Sequence, residues 1–206
     1  MNKFASLLMG LGLLAGSSAV VAMPMLALNV DANGILLGAK NVNVGGSFFD
    51  VDFLDGSCVS LFSGCNSGDD FFFTTRADAD AALLAVSTQV FIDTIEGSFD
   101  TMPNMVFGCE SAVMGGLCTT RLPYAPFSLS STRTGQLTNV AAAPDTIFAG
   151  TNDTRGREND TTGSRGNFAK FSNARVVSVP EPSILALFAL GLAGIGISRR
   201  KRATQI

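Results

Sequence analysis

Apolar and polar positions divide the chain into three patterns. Phe4 to Ala15 is a predominantly apolar run, and Ile184 to Ile197 is a second. Between them the apolar residues are spaced rather than continuous. The clearest spacing there has a period of two. Phe49, Val51 and Phe53 alternate with Asp50 and Asp52, which predicts a strand with one buried face. Gly34-Ile35-Leu36-Leu37-Gly38 and Asn41-Val42-Asn43-Val44 are shorter strand-like pieces just upstream, and Gly45-Gly46 is a two-residue hairpin signal. Asp55-Gly56 marks a turn.

A period near 3.6 follows. Ala79, Leu83, Val86 and Val90 share one face, with Ala82 beside them, predicting a core-facing helix from Arg76 to about Asp93. Thr75 is the candidate N-cap, Asp78 can return the capping contact, and Gly97 ends the element. Beyond it the chain reads as loop-rich, with short strands at Phe107 and around Leu122-Pro123-Tyr124. From Gly150 to Asn167 the residues are polar, glycine-containing and without apolar periodicity, which predicts a mobile loop or stalk. Arg175 to Val179 reads as a final extended run. The fold class expected is α+β: one small domain with a short antiparallel sheet, one main helix and local disulfide loops.

The two apolar runs have the layout of targeting segments. Met1-Asn2-Lys3 supplies one positive charge, the run to Ala15 follows, and small residues lead to Ala22, where cleavage is expected; Ala19 and Ala27 are alternatives. The run is too short to cross about 30 Å of hydrocarbon as a helix. At the other end Val179-Pro180-Glu181-Pro182 precedes the run Ile184–Ile197, and Arg199-Arg200-Lys201-Arg202 follows it. Cations at that position stay on the cytoplasmic side of a membrane. The prolines disfavour helix and leave an extended stretch that a protease can bind.

This ordered triple closely resembles the PEP-CTERM sorting domain. The resemblance implies export from a Gram-negative bacterium that makes extracellular polysaccharide, and recognition and cutting of the tail by an exosortase, a membrane cysteine protease. It implies that Pro180, Glu181 and Pro182 are the recognition element of a processing substrate, not a catalytic site. The pattern from Asn29 to Cys65, carried by Val42 to Val51 and Asp55-Gly56-Ser57-Cys58, also resembles the openings of other PEP-CTERM proteins of unknown function, a likeness that carries no activity.

Charge changes once the ends are set aside. Of the 14 basic residues, Lys3 and Arg199 to Arg202 lie in the terminal segments; of the 17 acidic residues, only Glu181 does. The body between is therefore acidic, near about −7 by the formal count, which argues against nucleic acid as a partner. Its first part is the more acidic and its second part mildly basic. Histidine is absent, which excludes Ser-His-Asp and Cys-His catalysis and every histidine-ligated metal site.

Cys58, Cys65, Cys109 and Cys118 would face an oxidising compartment after export. Their spacing favours local pairs, Cys58–Cys65 and Cys109–Cys118, among three connectivities; both gaps exceed the usual spacing of zinc ligands. Carboxylates cluster at Asp50, Asp52 and Asp55 and at Asp69, Asp70, Asp78 and Asp80, the residues a hydrolase would draw on. Asp31-Ala32-Asn33-Gly34 copies a fragment of a calcium loop without its glutamate. Asn152 and Asn159 begin glycosylation-type triplets.

The organisation expected is a signal peptide at 1–22, an α+β domain at 23–149, a flexible segment and final extended run at 150–178, and a sorting tail at 179–203. The function expected is that of an exported, exosortase-processed protein of the cell surface or extracellular matrix, without catalytic activity, cofactor or metal. Its partners would be the exosortase and export machinery, the inner membrane through the tail, and exopolysaccharide. The alternatives are a secreted carboxylate-dependent hydrolase and a calcium- or ligand-binding module.

Overall fold

The hairpin forms where its sequence predicts. In the computed structural model, which describes residues 24–110, 116–141, 143–154 and 166–174, Gly45 and Gly46 have φ of 59° and 91°. Those positive values suit a two-residue turn whose twist matches its strands. The turn joins β2 (Leu36–Val44) to β3 (Ser47–Leu54), and β1 (Ala27–Val30) adds antiparallel to β2. Because β1 begins at Ala27, signal cleavage after Ala27 would cut into a paired strand, whereas cleavage after Ala22 leaves it whole.

Phe53 and Val51 are buried as the alternation predicts, but Asp50, expected to face solvent, is only 5% exposed. The cause is a bulge. Between Ala39 and Val42 the β2–β3 register shifts, and Asn41 takes a positive φ of 58°. The unpaired Asn41 N–H donates to Asp50 Oδ1 at 3.1 Å, and Lys40 Nζ pairs with Asp50 Oδ2 at 3.0 Å. Asp50 thus satisfies a backbone donor that the bulge leaves without a ladder partner.

Helix α2 runs Arg76–Gln89. Thr75 Oγ1 accepts from the Asp78 N–H and donates to the Asp78 carboxylate at 2.6 Å, so the expected cap is formed, with the return contact made to the hydroxyl. Ala79, Ala82, Leu83, Val86 and Val90 are buried. Small residues let the helix lie close to the sheet: a Cβ on Gly135 would come within 2.9 Å of Leu83 Cδ1. The helix stops short of the expected Asp93. The Val90 and Phe91 N–H groups both reach Val86 O, and Phe91 turns into the core against Phe53. Gln89 fixes that end to β2, accepting from Asn43 N–H and donating to Asn43 O.

After α2 come a small hairpin of β4 (Asp93–Thr94) and β5 (Gly97–Ser98), then β6 (Leu117–Pro126), β7 (Ser131–Val140), β8 (Thr146–Thr154) and β9 (Gly166–Asn173). The main sheet has seven strands in the order β1-β2-β3-β9-β6-β7-β8. It is neither short nor wholly antiparallel, because β9 pairs antiparallel with β3 and parallel with β6. Two three-strand meanders are thus joined through the last described strand. Pro123, which has no N–H for a ladder, lies at the β6 bulge and beyond the last β9 partner, Arg121.

The stretch expected to be a mobile loop or stalk, Gly150 to Asn167, therefore contains the end of β8 and the start of β9. Phe168, Ala169 and Phe171 of β9 are buried, so the folded domain extends through Asn173, and a boundary at 149 would divide β8. Residues 155–165, and the extended run from Arg175, lie outside the described residues. Alternation along β9 also separates two cores. Ala169 and Phe171 join the α2 side, while Phe168 points the other way, into a cluster with Cys58, Phe62, Cys65 and Phe71. That second cluster is built by the short helix α1 (Cys58–Leu61) and the loop after it, held over the sheet by Lys170 Nζ, which donates to Leu61 O at 3.0 Å.

Candidate functional site

The sorting residues Val179, Pro180, Glu181 and Pro182, the basic cluster Arg199, Arg200, Lys201 and Arg202, and the cleavage residue Ala22 all lie outside the described residues. Among the described residues no helix is long and apolar enough to cross a membrane; the run Ile184–Ile197 is not among them.

The four cysteines form Cys58–Cys65 and Cys109–Cys118, with Cα–Cα separations of 5.8 and 5.6 Å, the local pairing that the spacing favours. The second bridge belongs to a larger anchor. Cys118 lies opposite Asn139 in the β6–β7 pair, and the buried Asn139 amide donates to Phe99 O at 2.7 Å. The buried Asn167 amide donates to Phe107 O at 2.6 Å. Gly108 sits against Asn167 with φ of 81°, where a Cβ would come within 2.8 Å of the asparagine Cβ. Two asparagines and a disulfide thus pin the loop before β6 onto the sheet.

The carboxylates singled out in the sequence do not converge. Asp50 fills the β2 bulge, Asp70 accepts from the Asn66 and Ser67 N–H groups, Asp78 caps α2, and Asp80 pairs with Arg76 at 3.4 Å. Asp52 sits opposite Lys170 in the β3–β9 register. Asp69 borders a shallow hollow with Phe62, Phe72 and Lys170. Asp31 Oδ1 accepts from the Asn33 and Ile35 N–H groups, both at 2.8 Å, so Asp31-Ala32-Asn33-Gly34 is a turn closed by its own aspartate. The Ile35 N–H is the main cause of an Asp31 carboxyl held below the usual range; desolvation opposes it, and hydrogen bonds from Asn33 and Gly34 add to it. Among the described residues, no three of Asp, Glu, Cys or His gather as metal ligands would. Asn152, expected in a mobile region, lies in β8 opposite Arg133; Asn159 lies outside the described residues.

Two clefts remain. One, of about 430 Å³, is lined by Ser87, Phe91, Ile92, Asp100, Pro144 and Asp145. Ser87 Oγ donates to Asp145 Oδ2 at 2.7 Å across a separation of 58 residues, a pairing with no sequence signature. Burial pushes the Asp145 carboxyl above the usual range; Ser87 and the Val140 N–H oppose the shift and the Asp100 charge adds to it. The folded state therefore favours protonated Asp145. Its stabilising contribution is complete below the unfolded pKa, near 3.8, and is lost as pH rises through the higher folded value. Asp145→Asn keeps an acceptor for Ser87 and removes the charge. It should melt higher than the wild type near pH 7, with the gap closing at pH 3; a variant that melts lower at neutral pH would contradict this account. The cleft holds two carboxyls, Asp100 and Asp145, and the Ser87 hydroxyl, but brings no described cation or histidine to them.

The second cleft, of about 480 Å³, is lined by Thr74, Thr75, Arg76, Tyr124, Phe127 and Arg133. Here the start of α2 meets the β6–β7 turn.

Comparison with known proteins places the recognisable chemistry at the C-terminus. Residues 178–202 match the family model for the PEP-CTERM protein-sorting motif. No curated protein and no solved structure matches the chain.

Proposed function

We infer from the PEP-CTERM sorting motif carried at residues 178–202 that this chain is an exported substrate of an exosortase. The tail holds the precursor in the inner membrane. The enzyme recognises Pro180, Glu181 and Pro182, and the freed domain stays at the cell surface or in the extracellular matrix as a non-catalytic component. The observation that carries the reading is the motif match, with the apolar run and basic cluster in order behind it. The domain is compatible with such a role. It is rich in sheet, braced by two disulfides, and Asp31, Asp50, Asp70 and Asp78 serve a turn, a bulge and caps.

Intact mass spectrometry tests it. Protein recovered from a host with an active exosortase should lack everything beyond the sorting motif, and Pro180→Ala or Glu181→Ala should retain the tail. Equal masses in strains with and without the enzyme would remove the reading. A matrix component should also co-purify with exopolysaccharide. The competing reading, a secreted carboxylate-dependent hydrolase, would draw on the half-buried Asp145 beside Asp100. It requires an activity in the mature protein that Asp145→Asn abolishes.

A further inference from the structure

The end of the sheet from which the chain leaves toward the sorting motif carries apolar side chains that the described fold does not cover. β6 and β9 are parallel neighbours, paired from Thr119 with Gly166 to Arg121 with Phe168, so both run toward the same end. There β9 stops at Asn173, and β6 passes into β7 through a turn that presents Phe127 and Leu129, 51% and 100% exposed. Phe72, 41% exposed, adds apolar surface beside the exit point. Its ring meets Phe49 and Phe73, and Phe73 in turn meets Phe171, close to the end of β9. Thr74 to Arg76, which follow directly, share the larger cleft with Phe127.

The turn is held in shape. The Phe127 and Ser128 N–H groups both donate to Ser131 O, at 3.0 and 3.1 Å. The Ser128 and Ser131 hydroxyls share a hydrogen bond of 2.6 Å, and the Ser130 N–H donates to Ser128 Oγ. A closed turn with leucine at its apex exposes apolar surface by construction, where polar turn residues would cost nothing. Cations border it. The Arg133 guanidinium lies 5.3 Å from the Phe127 ring centroid, and Arg76 is nearby on α2, paired with Asp80. Apolar tips with arginine behind them suit a bilayer interface, where the tips enter the acyl boundary and the guanidinium stays among headgroup phosphates.

The chain's own length identifies the occupant. Even fully extended, the link from Asn173 to Ile184 reaches at most about 35–40 Å, comparable to the diameter of a domain this size. With the tail in the membrane, this end of the sheet cannot move far from the lipid. The tether then supplies a high effective concentration, so weak contacts suffice to dock it. We propose that, in the uncut precursor, the β6–β7 turn with Phe127 and Leu129, flanked by Phe72 and Arg133, rests on the bilayer surface and sets the orientation in which the sorting motif meets its enzyme. This rests on the reading of the tail as a membrane segment.

The test uses the full-length chain, reconstituted into vesicles of phosphatidylethanolamine and phosphatidylglycerol. An environment-sensitive dye is attached at Leu129→Cys or, as control, at Glu96→Cys on the β4–β5 hairpin. Both sites are exposed and outside the core. The chain should float with the vesicles. The Leu129→Cys label should shift to the blue and lose at least half its emission to brominated lipid, while the Glu96→Cys label stays aqueous. Adding Phe127→Ser should reduce the quenching at least two-fold without changing flotation. A chain that floats with an aqueous label at 129 overturns the docking and leaves the tail reading intact. Failure to float overturns both. A blue shift that ignores brominated lipid and grows with protein density means that a second copy covers the turn, which also overturns the proposal.

Discussion

A chain that ends before Gly166 is expected to remain unfolded, whereas one that ends after Ala174 is expected to fold. β9 pairs with β3 from Leu54–Phe168 to Phe49–Asn173 and with β6 from Thr119–Gly166 to Arg121–Phe168. Without it the two meanders share no strand, and β3 and β6 lose their ladder partners at the centre of the sheet. Burying Phe168 and Phe171 contributes about 2–3 kcal/mol each, and both cores lose a wall. Set against the roughly 5–15 kcal/mol that stabilises a typical domain, the combined loss removes the folded state. Urea titration followed by far-ultraviolet circular dichroism checks it. A buried tyrosine, Tyr124, the chain's single one, in a sequence without tryptophan adds a second optical signal. A cooperative transition in the shorter chain would show that β9 is an addition and not a part of the fold. The milder Phe171→Ala should cost about 3–5 kcal/mol.

The second large effect is expected from Cys109→Ala with Cys118→Ala. The chain-entropy treatment gives about 2.5–3 kcal/mol for a loop of this length, and nearly the same for Cys58–Cys65. Their surroundings separate them. Cys109 and Cys118 are both fully buried in the main core beside the asparagines that hold Phe99 O and Phe107 O. Loosening that loop exposes amide–carbonyl pairs as well as apolar surface, so a total of about 3–5 kcal/mol is expected. Cys58–Cys65 braces only the small cluster around Phe62 and Phe168, and its removal should cost about 2–3 kcal/mol. Urea midpoints of the two double variants decide the matter; equal losses, or a larger loss at Cys58–Cys65, would contradict the ranking.

What the sequence discloses is whatever is local. The Gly45-Gly46 turn, the Thr75 cap, the apolar face of α2 and the pairing of neighbouring cysteines all depend on residues a few positions apart, and all appear in the structure. β9 escapes because a strand buried on both faces has no period of two to display: Phe168 serves one core while Ala169 and Phe171 serve the other. β7 escapes for a different reason. Its inward positions include Thr132, Thr134, Gly135 and Asn139, all buried, and hydropathy reads those residues as loop. The helix end is misplaced because Val90 and Phe91 are buried but leave the helical path. Asp50 looks solvent-facing by alternation, and only the bulge at Asn41, a tertiary event, draws it inward. The sorting motif is legible without any of this, because its match at residues 178–202 rests on the order of residues along the chain.

The arrangement of the two disulfides has a bearing on how they are made. Each joins a cysteine to the next one along the chain. When a polypeptide emerges amino end first into an oxidising space, Cys65 finds one earlier thiol waiting. Once that pair has closed, Cys118 finds only Cys109. An oxidant that links whichever thiols appear in succession therefore arrives at the native connectivity without later reshuffling. The same chain, fully reduced and reoxidised in bulk, presents all four thiols at once and must sort among three pairings.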